Sequence, residues 1–174
     1  QQTNPELADK LELLIKAHPD ASAFWVATGY SRFRERSRRL FIECARWAHD
    51  TKRSIFDRPP SHTARWPIVS KDAPDEAKAA ASARKGQPAG QAIAALVMNY
   101  AMLASADTNP SERASALAWL LHLVGDINQP LHVSDQYSKE FPAGNGAGTL
   151  EYVMDPIGGI PIPLHLLWDS NIYR

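Results

Sequence analysis

A helix start and a helix stop bracket the most informative stretch of this chain. Asn109 is a residue type that caps helix N-termini, Pro110 suits the first helical position, and Glu112 follows three residues after the cap. Pro130 cannot continue a regular helix, because it lacks an N–H and its ring clashes with the preceding turn. Between these signals Ala118, Trp119 and Leu121 run along a helix that ends near Asp126. The stop falls inside HLVGDINQPLH, residues 122 to 132. His122 and Asp126 are four apart, so they share one helix face. His132 lies just past the bend. LHLLWDS repeats the same His-x3-Asp spacing with His165 and Asp169.

Length and composition set the frame. A chain of 174 residues suits one domain with a sizeable core. The formal net charge is zero, so bulk electrostatics give no support to a duplex-coating protein. A metal-centred enzyme that grips a few phosphates is still allowed. No apolar run reaches the roughly 18 residues that span a bilayer. The chain starts at Gln1 with neither Met nor a signal peptide, which fits a processed or trimmed product. Cys44 is the single cysteine, which excludes an intrachain disulfide and a thiolate cage. A metal site here must use imidazole and carboxylate, a donor set that suits zinc.

The rest of the chain reads mostly as helix. Leu7, Leu11, Leu13, Leu14 and Ile15 make an apolar stripe in a helix over 5–18, stopped by Pro19. A longer helix covers 31–52, with Leu40, Phe41, Cys44 and Trp47 at helical spacing. Arg32, Arg34, Arg36, Arg38 and Arg39 crowd its start, as either a solvated face or a phosphate-steering patch. Pro59, Pro60, Pro67 and Pro74 make 54–74 an irregular loop. Helices follow over 75–84 and 91–105. Residues 141–148 form a Gly-rich loop, 149–154 and 160–162 pair as a short hairpin, and a last helical turn begins near Pro163. The fold class expected is mainly α: a compact multi-helix domain with a short β-hairpin over 1–174, incomplete at both ends.

The six histidines decide the function class. A single His–Asp pair at helical spacing is usually a surface contact. Two such pairs among leucines and tryptophans, with His132 beside them, are harder to place that way, since buried charges need partners or a metal.

The same residues carry a resemblance. HLVGDINQPLH resembles the His-x3-Asp-x5-His signature of the S1/P1 nucleases, which are single-strand-specific and zinc-dependent. PLHLLWDS resembles their second signature, AGNG at 143–146 their Gly-Gly-Asn loop, CARWAHDTK their Ala-x-Trp-Ala-Asp segment, and RPPSHTARWP the segment with the next histidine. The resemblance implies a mainly helical phosphodiesterase that holds two or three zinc ions. It assigns one zinc to His49, His62, His122 and Asp126, and another to His132, His165 and Asp169. A third would use Asp126 with an N-terminal Trp and His. Asp126 and Lys52 take catalytic roles, Asp126 orienting the attacking hydroxide and Lys52 neutralising a phosphate oxygen. Thr63, Arg65 and Asn145 fall at substrate-binding positions. Implied substrates are single-stranded DNA or RNA and 3′-nucleotides, cleaved to 5′-phosphates. A monomer that is secreted or periplasmic, with no stable protein partner and no transmembrane segment, is the form implied.

The chain departs from that pattern in places. His49 stands where the family has Asp, with Asp50 next to it as the alternative ligand. Lys52 replaces an Arg, Thr63 an aromatic and Arg65 an Asp. The first His and Trp are His18 and Trp25, in the reverse order to the family's N-terminal pair. Two other functions compete: a zinc phospholipase C-like phosphodiesterase, and a zinc-binding relic without catalysis.

Overall fold

A computed structural model describes residues 5–28, 33–51, 54, 56–84, 87–88 and 90–170. Lys52 lies outside them. The protein is mainly helical, with two sheets of two strands each among the described residues. The chain divides into two compact units, each drawn from two stretches of sequence. One takes Gln1–Pro59 and Ile93–Val124, the other Pro60–Ala92 and Gly125–Arg174.

The first unit is built from helices α1 (Pro5–Ile15), α2 (Ala21–Thr28), α3 (Phe33–Asp50), most of α5 (Ala92–Ala104) and the larger part of α6 (Pro110–Asn128). Its core follows the helical periodicity of the sequence. Leu40, Cys44 and Trp47 form one stripe on α3, and Leu117, Ala118 and Leu123 belong to the buried side of α6. Ile15 and Phe24 close the same cluster, with Leu11 and Leu14 packed against it. Trp119 is 1 % exposed and meets Trp47 edge-on, ring centroids 6.4 Å apart. Burial in this cluster drives the Cys44 thiol up to about 12, which removes its thiolate chemistry. The expected 5–18 helix is α1, which stops three residues early at Ile15; turns through His18 and Pro19 then lead into α2, a helix not expected. Arg38 and Arg39 are exposed, which suits a solvated face and a phosphate-steering patch alike; Arg32 and the side chains of Arg34 and Arg36 lie outside what is described.

The sequence signals at both ends of α6 hold. The Asn109 side-chain oxygen accepts the Glu112 N–H at 3.0 Å, a helix N-cap. At the other end α6 runs to Asn128, two residues beyond the expected end. Gln129 turns extended and caps a new turn, α7 (Pro130–Val133), its side chain accepting the Leu131 N–H. Pro130 at the first position of α7 loses no hydrogen bond.

The second unit holds α4 (Asp75–Ala83), α7, α8 (Leu164–Ser170) and the strands of both sheets. β1 (Trp66–Val69) and β2 (Ser134–Tyr137) pair in parallel, in register from Trp66↔Ser134 to Val69↔Tyr137. That pairing corrects the expectation of an irregular loop over 54–74. A 3-10 turn at Pro59–His62 occupies the same stretch. Pro67 is tolerated because β1 pairs on one side only. Ala73, Ala77 and Ala81 pack with Tyr137, laying α4 on this ladder. The expected hairpin is present as β3 (Tyr152–Met154) and β4 (Pro161–Pro163), antiparallel, and α8 packs on it.

Candidate metal centre

The parallel ladder brings the chain after His62 beside the chain after His132. The Ala64 and Arg65 N–H groups both donate to the His132 carbonyl, at 2.8 and 3.3 Å. In return His132 Nδ1 donates to the His62 carbonyl at 2.6 Å. Asp126 Oδ1 is 3.6 Å from the same nitrogen, so the carbonyl takes the proton. Across the Gly-rich loop His165 Nδ1 donates to the Ala147 carbonyl at 2.7 Å. Each ring therefore carries its proton on Nδ1 when neutral, and its lone pair is on Nε2.

Both lone pairs face one carboxylate. His132 Nε2 is 3.2 Å from Asp169 Oδ1, and His165 Nε2 is 3.4 Å from Asp169 Oδ2. Lone pairs aimed at a carboxylate repel it unless a cation stands between them. A proton can fill that place. Burial pushes the His132 pKa down, but the Asp169 hydrogen bond, the Asp126 charge, the His62 carbonyl and the Asp169 charge together hold it above the ordinary value. Burial likewise pushes Asp169 up, and is outweighed by hydrogen bonds from His132 and Gln129 and by the charges of His165 and His132, which leave it below the usual carboxylate range. A divalent metal answers the same need. Ligands about 2.0–2.2 Å from a tetrahedral zinc stand about 3.3–3.6 Å apart, close to the separations seen here. The donor atoms of His132, His165 and Asp169 all lie within 4.8 Å of one another, so the residues fit the metal.

A second cluster builds on Asp126, which is 9 % exposed. His62 Nδ1 lies 3.0 Å from Asp126 Oδ2. His122 sits one turn earlier on α6, on the face that carries Asp126. Its Nδ1 donates to the Ala45 carbonyl at 2.9 Å, which again puts the neutral ring's lone pair on Nε2. Three histidines thus share one device, a ring oriented by a main-chain oxygen, as in metal-ligating histidines generally.

The family S1/P1 Nuclease matches this chain over residues 4–174. The chain belongs to the S1/P1 nuclease family. Nuclease S1 of Aspergillus oryzae (strain ATCC 42149 / RIB 40) is similar to it, 33 % identical over 84 residues. That stretch covers 48 % of this chain and 25 % of the relative. No solved structure matches the chain significantly.

Other positions of this S1/P1 nuclease chain have distinct settings. The His49 side chain is 54 % exposed, with Nδ1 3.5 Å from Asp50 Oδ1. Asp50 in turn accepts from Arg46 Nε at 2.8 Å. The Thr63 carbonyl accepts the Ala92 N–H at 3.0 Å. Arg65 has a left-handed backbone, φ 45°. Asn145, expected at a substrate-binding position, is 2 % exposed, and its amide is hydrogen-bonded to the chain on either side of the loop. Its Oδ1 accepts the Gln136 and Gly148 N–H groups, and its Nδ2 donates to Glu151. His18, the first histidine, is buried against Trp47 and Phe24, and its Nδ1 accepts the Asp20 N–H at 3.0 Å.

Sequence reasoning missed Gln129. Its Nε2 donates to Asp169 Oδ1 at 3.0 Å while its oxygen caps α7, so one amide steadies the Asp169 carboxylate and the bend. The available signal was its place just before Pro130, where an N-cap acceptor is needed.

Proposed function

We propose that this chain carries the zinc-binding part of a hydrolase that cleaves phosphodiester bonds of single-stranded DNA and RNA. The same reading includes 3′-nucleotides as substrates and 5′-phosphates as products. The observation that carries it is the convergence of the His132 and His165 lone pairs on the Asp169 carboxylate. His132, His165 and Asp169 hold one zinc. His62, His122 and Asp126 hold another, with His49 or Asp50 as the further ligand. Zinc, when bound, supplies Lewis acidity, lowering the pKa of water towards about 7 and favouring charge build-up at phosphorus.

The chain's own residues do the rest. Asp126 orients the attacking water for in-line displacement. Gln129 holds Asp169 in place by its 3.0 Å hydrogen bond. Lys52 neutralises a non-bridging phosphate oxygen, and Thr63 and Arg65 meet the substrate beyond it. The reading includes a monomer that works outside the cytoplasm. None of the described helices is long and apolar enough to cross a membrane. One observation favours a second reading, a zinc-binding relic: the exposed His49 takes the place of a carboxylate.

Elemental analysis joined to a single-stranded DNA assay separates these. Two or more zincs per chain, with cleavage abolished by a chelator, support the enzyme. One zinc without cleavage supports the relic. A chain that binds no zinc overturns both.

A further inference from the structure

Among the described residues, two other than glycine have a left-handed backbone, Arg65 at φ 45° and Ala147 at φ 59°. A residue with a Cβ avoids this conformation, and it persists where neighbours hold it. Both residues touch the metal centre through their main chains. The Arg65 N–H donates to the His132 carbonyl at 3.3 Å. The Ala147 carbonyl accepts His165 Nδ1 at 2.7 Å.

One ion pair connects them. Arg84 Nη1 donates to the Arg65 carbonyl at 3.1 Å, and Nη2 donates to Asp135 Oδ2 at 3.3 Å. Asp135 Oδ1 accepts the Ala147 N–H at 3.2 Å. The pair is well sheltered. The Asp135 side chain is 3 % exposed, and the guanidinium lies over the Tyr137 ring, 5.1 Å from its centroid. Gly144 makes the room, since a Cβ there would stand 2.9 and 3.0 Å from the Asp135 carboxylate oxygens.

We infer that Arg84 and Asp135 are positioning residues for the His132–His165–Asp169 centre, acting through the backbones of Arg65 and Ala147. This rests on the zinc reading above. If Ala147 relaxes, its carbonyl turns away from His165 and the imidazole loses its tautomer preference. Part of the His165 population then carries its proton on Nε2, the atom that has to bind metal. If Arg65 relaxes, one of the two N–H groups that fix the His132 carbonyl is lost. The guanidinium serves two acceptors at once, which an ammonium does not reproduce.

The test uses Asp135→Asn and Arg84→Lys in the full chain, with folding compared by circular dichroism. Cobalt(II) binding, followed by its visible bands against a competing chelator, reports affinity. Outer partners of metal ligands are typically worth about 10–100-fold in affinity, and a loss in that range is expected for both variants. Arg84→Lys decides the case if Asp135→Asn fails to fold, and a residue that only balanced charge would be rescued by lysine. The second readout is the 15N shift of the His165 ring in metal-free protein at alkaline pH. Wild type should show the Nδ1–H form, and both variants a mixture. Unchanged affinity and an unchanged tautomer in Arg84→Lys would overturn the inference. If wild type takes up no cobalt, the zinc reading fails, while the tautomer measurement still decides whether the pair positions His165.

Discussion

His132 and His165 stand ring to ring, centroids 4.6 Å apart and 34° from parallel, with both Nε2 atoms turned to Asp169. Two imidazoles held this close by separate carbonyls have no latitude to find another partner. The carboxylate between them is the part most open to test. Asp169→Asn keeps the size and one acceptor oxygen but removes the charge. Zinc affinity should fall by at least about tenfold, measured by competition with a chelating dye. Wild-type affinity in this variant would remove Asp169 from the ligand set.

Gly90 is the tightest backbone approach next to the His62 turn. A Cβ there would stand 1.7 Å from the Thr63 carbonyl oxygen, which is main chain and cannot swing aside. The N–H groups of Gly90, Gln91 and Ala92 bind the carbonyls of Ala64, Pro60 and Thr63, clasping the segment that carries His62. Gly90→Ala should cost at least about 2 kcal/mol, at the upper part of the range for overpacking. Urea denaturation measures it, and a loss under about 0.5 kcal/mol would contradict the close approach.

His18 gives a pH dependence with a definite sign. Burial lowers its pKa from 6.5 to about 4, against an opposing pull from Asp20. Above 6.5 the ring is neutral in both folded and unfolded chains. As pH falls from 6.5 to about 4, the unfolded chain takes up a proton that the native chain refuses, and stability is lost. Below about 4 the loss levels off. The whole span amounts to about 3 kcal/mol. His18→Gln should flatten that part of the stability profile. An equal slope in wild type and variant would assign the acid sensitivity elsewhere.

Asn109→Ala should destabilise the protein by about 1 kcal/mol, the usual worth of a lost N-cap, while Asn109→Asp should stay close to wild type. Thermal melts of the two variants decide it. Equal melting temperatures for Ala and Asp would mean that the Glu112 N–H finds another acceptor.

What the sequence disclosed follows from how far each signal reaches. The ends of α6 were legible because Asn109, Pro110 and Pro130 act on backbone within a few residues. The apolar stripe of α3 was legible because Leu40, Cys44 and Trp47 repeat at the helical period. His122 with Asp126, and His165 with Asp169, were legible because spacing four on a helix fixes a shared face. The β1–β2 ladder was hidden, since Trp66 and Ser134 are remote in sequence and the prolines around β1 read as loop. α2 was hidden because Ala21–Thr28 is short and apolar almost throughout, leaving no polar face to set a period. The carbonyls of Ala45, His62 and Ala147, which orient three rings, belong to the main chain and leave no mark in side-chain type. Asn145 stood out by its motif, but its hydrogen bonds to Gln136 and Glu151 leave no mark in the sequence.

The parallel ladder also fixes spacing along the chain. His62 leads into β1 at Trp66 and His132 into β2 at Ser134, and these two residues face each other in the register. A residue inserted or deleted in either lead would slip one strand and turn its alternating side chains to the opposite face. Length variation should therefore be forbidden between positions 62 and 66 and between 132 and 134. The hairpin tip at 155–159 carries no such count and should accept extra residues freely.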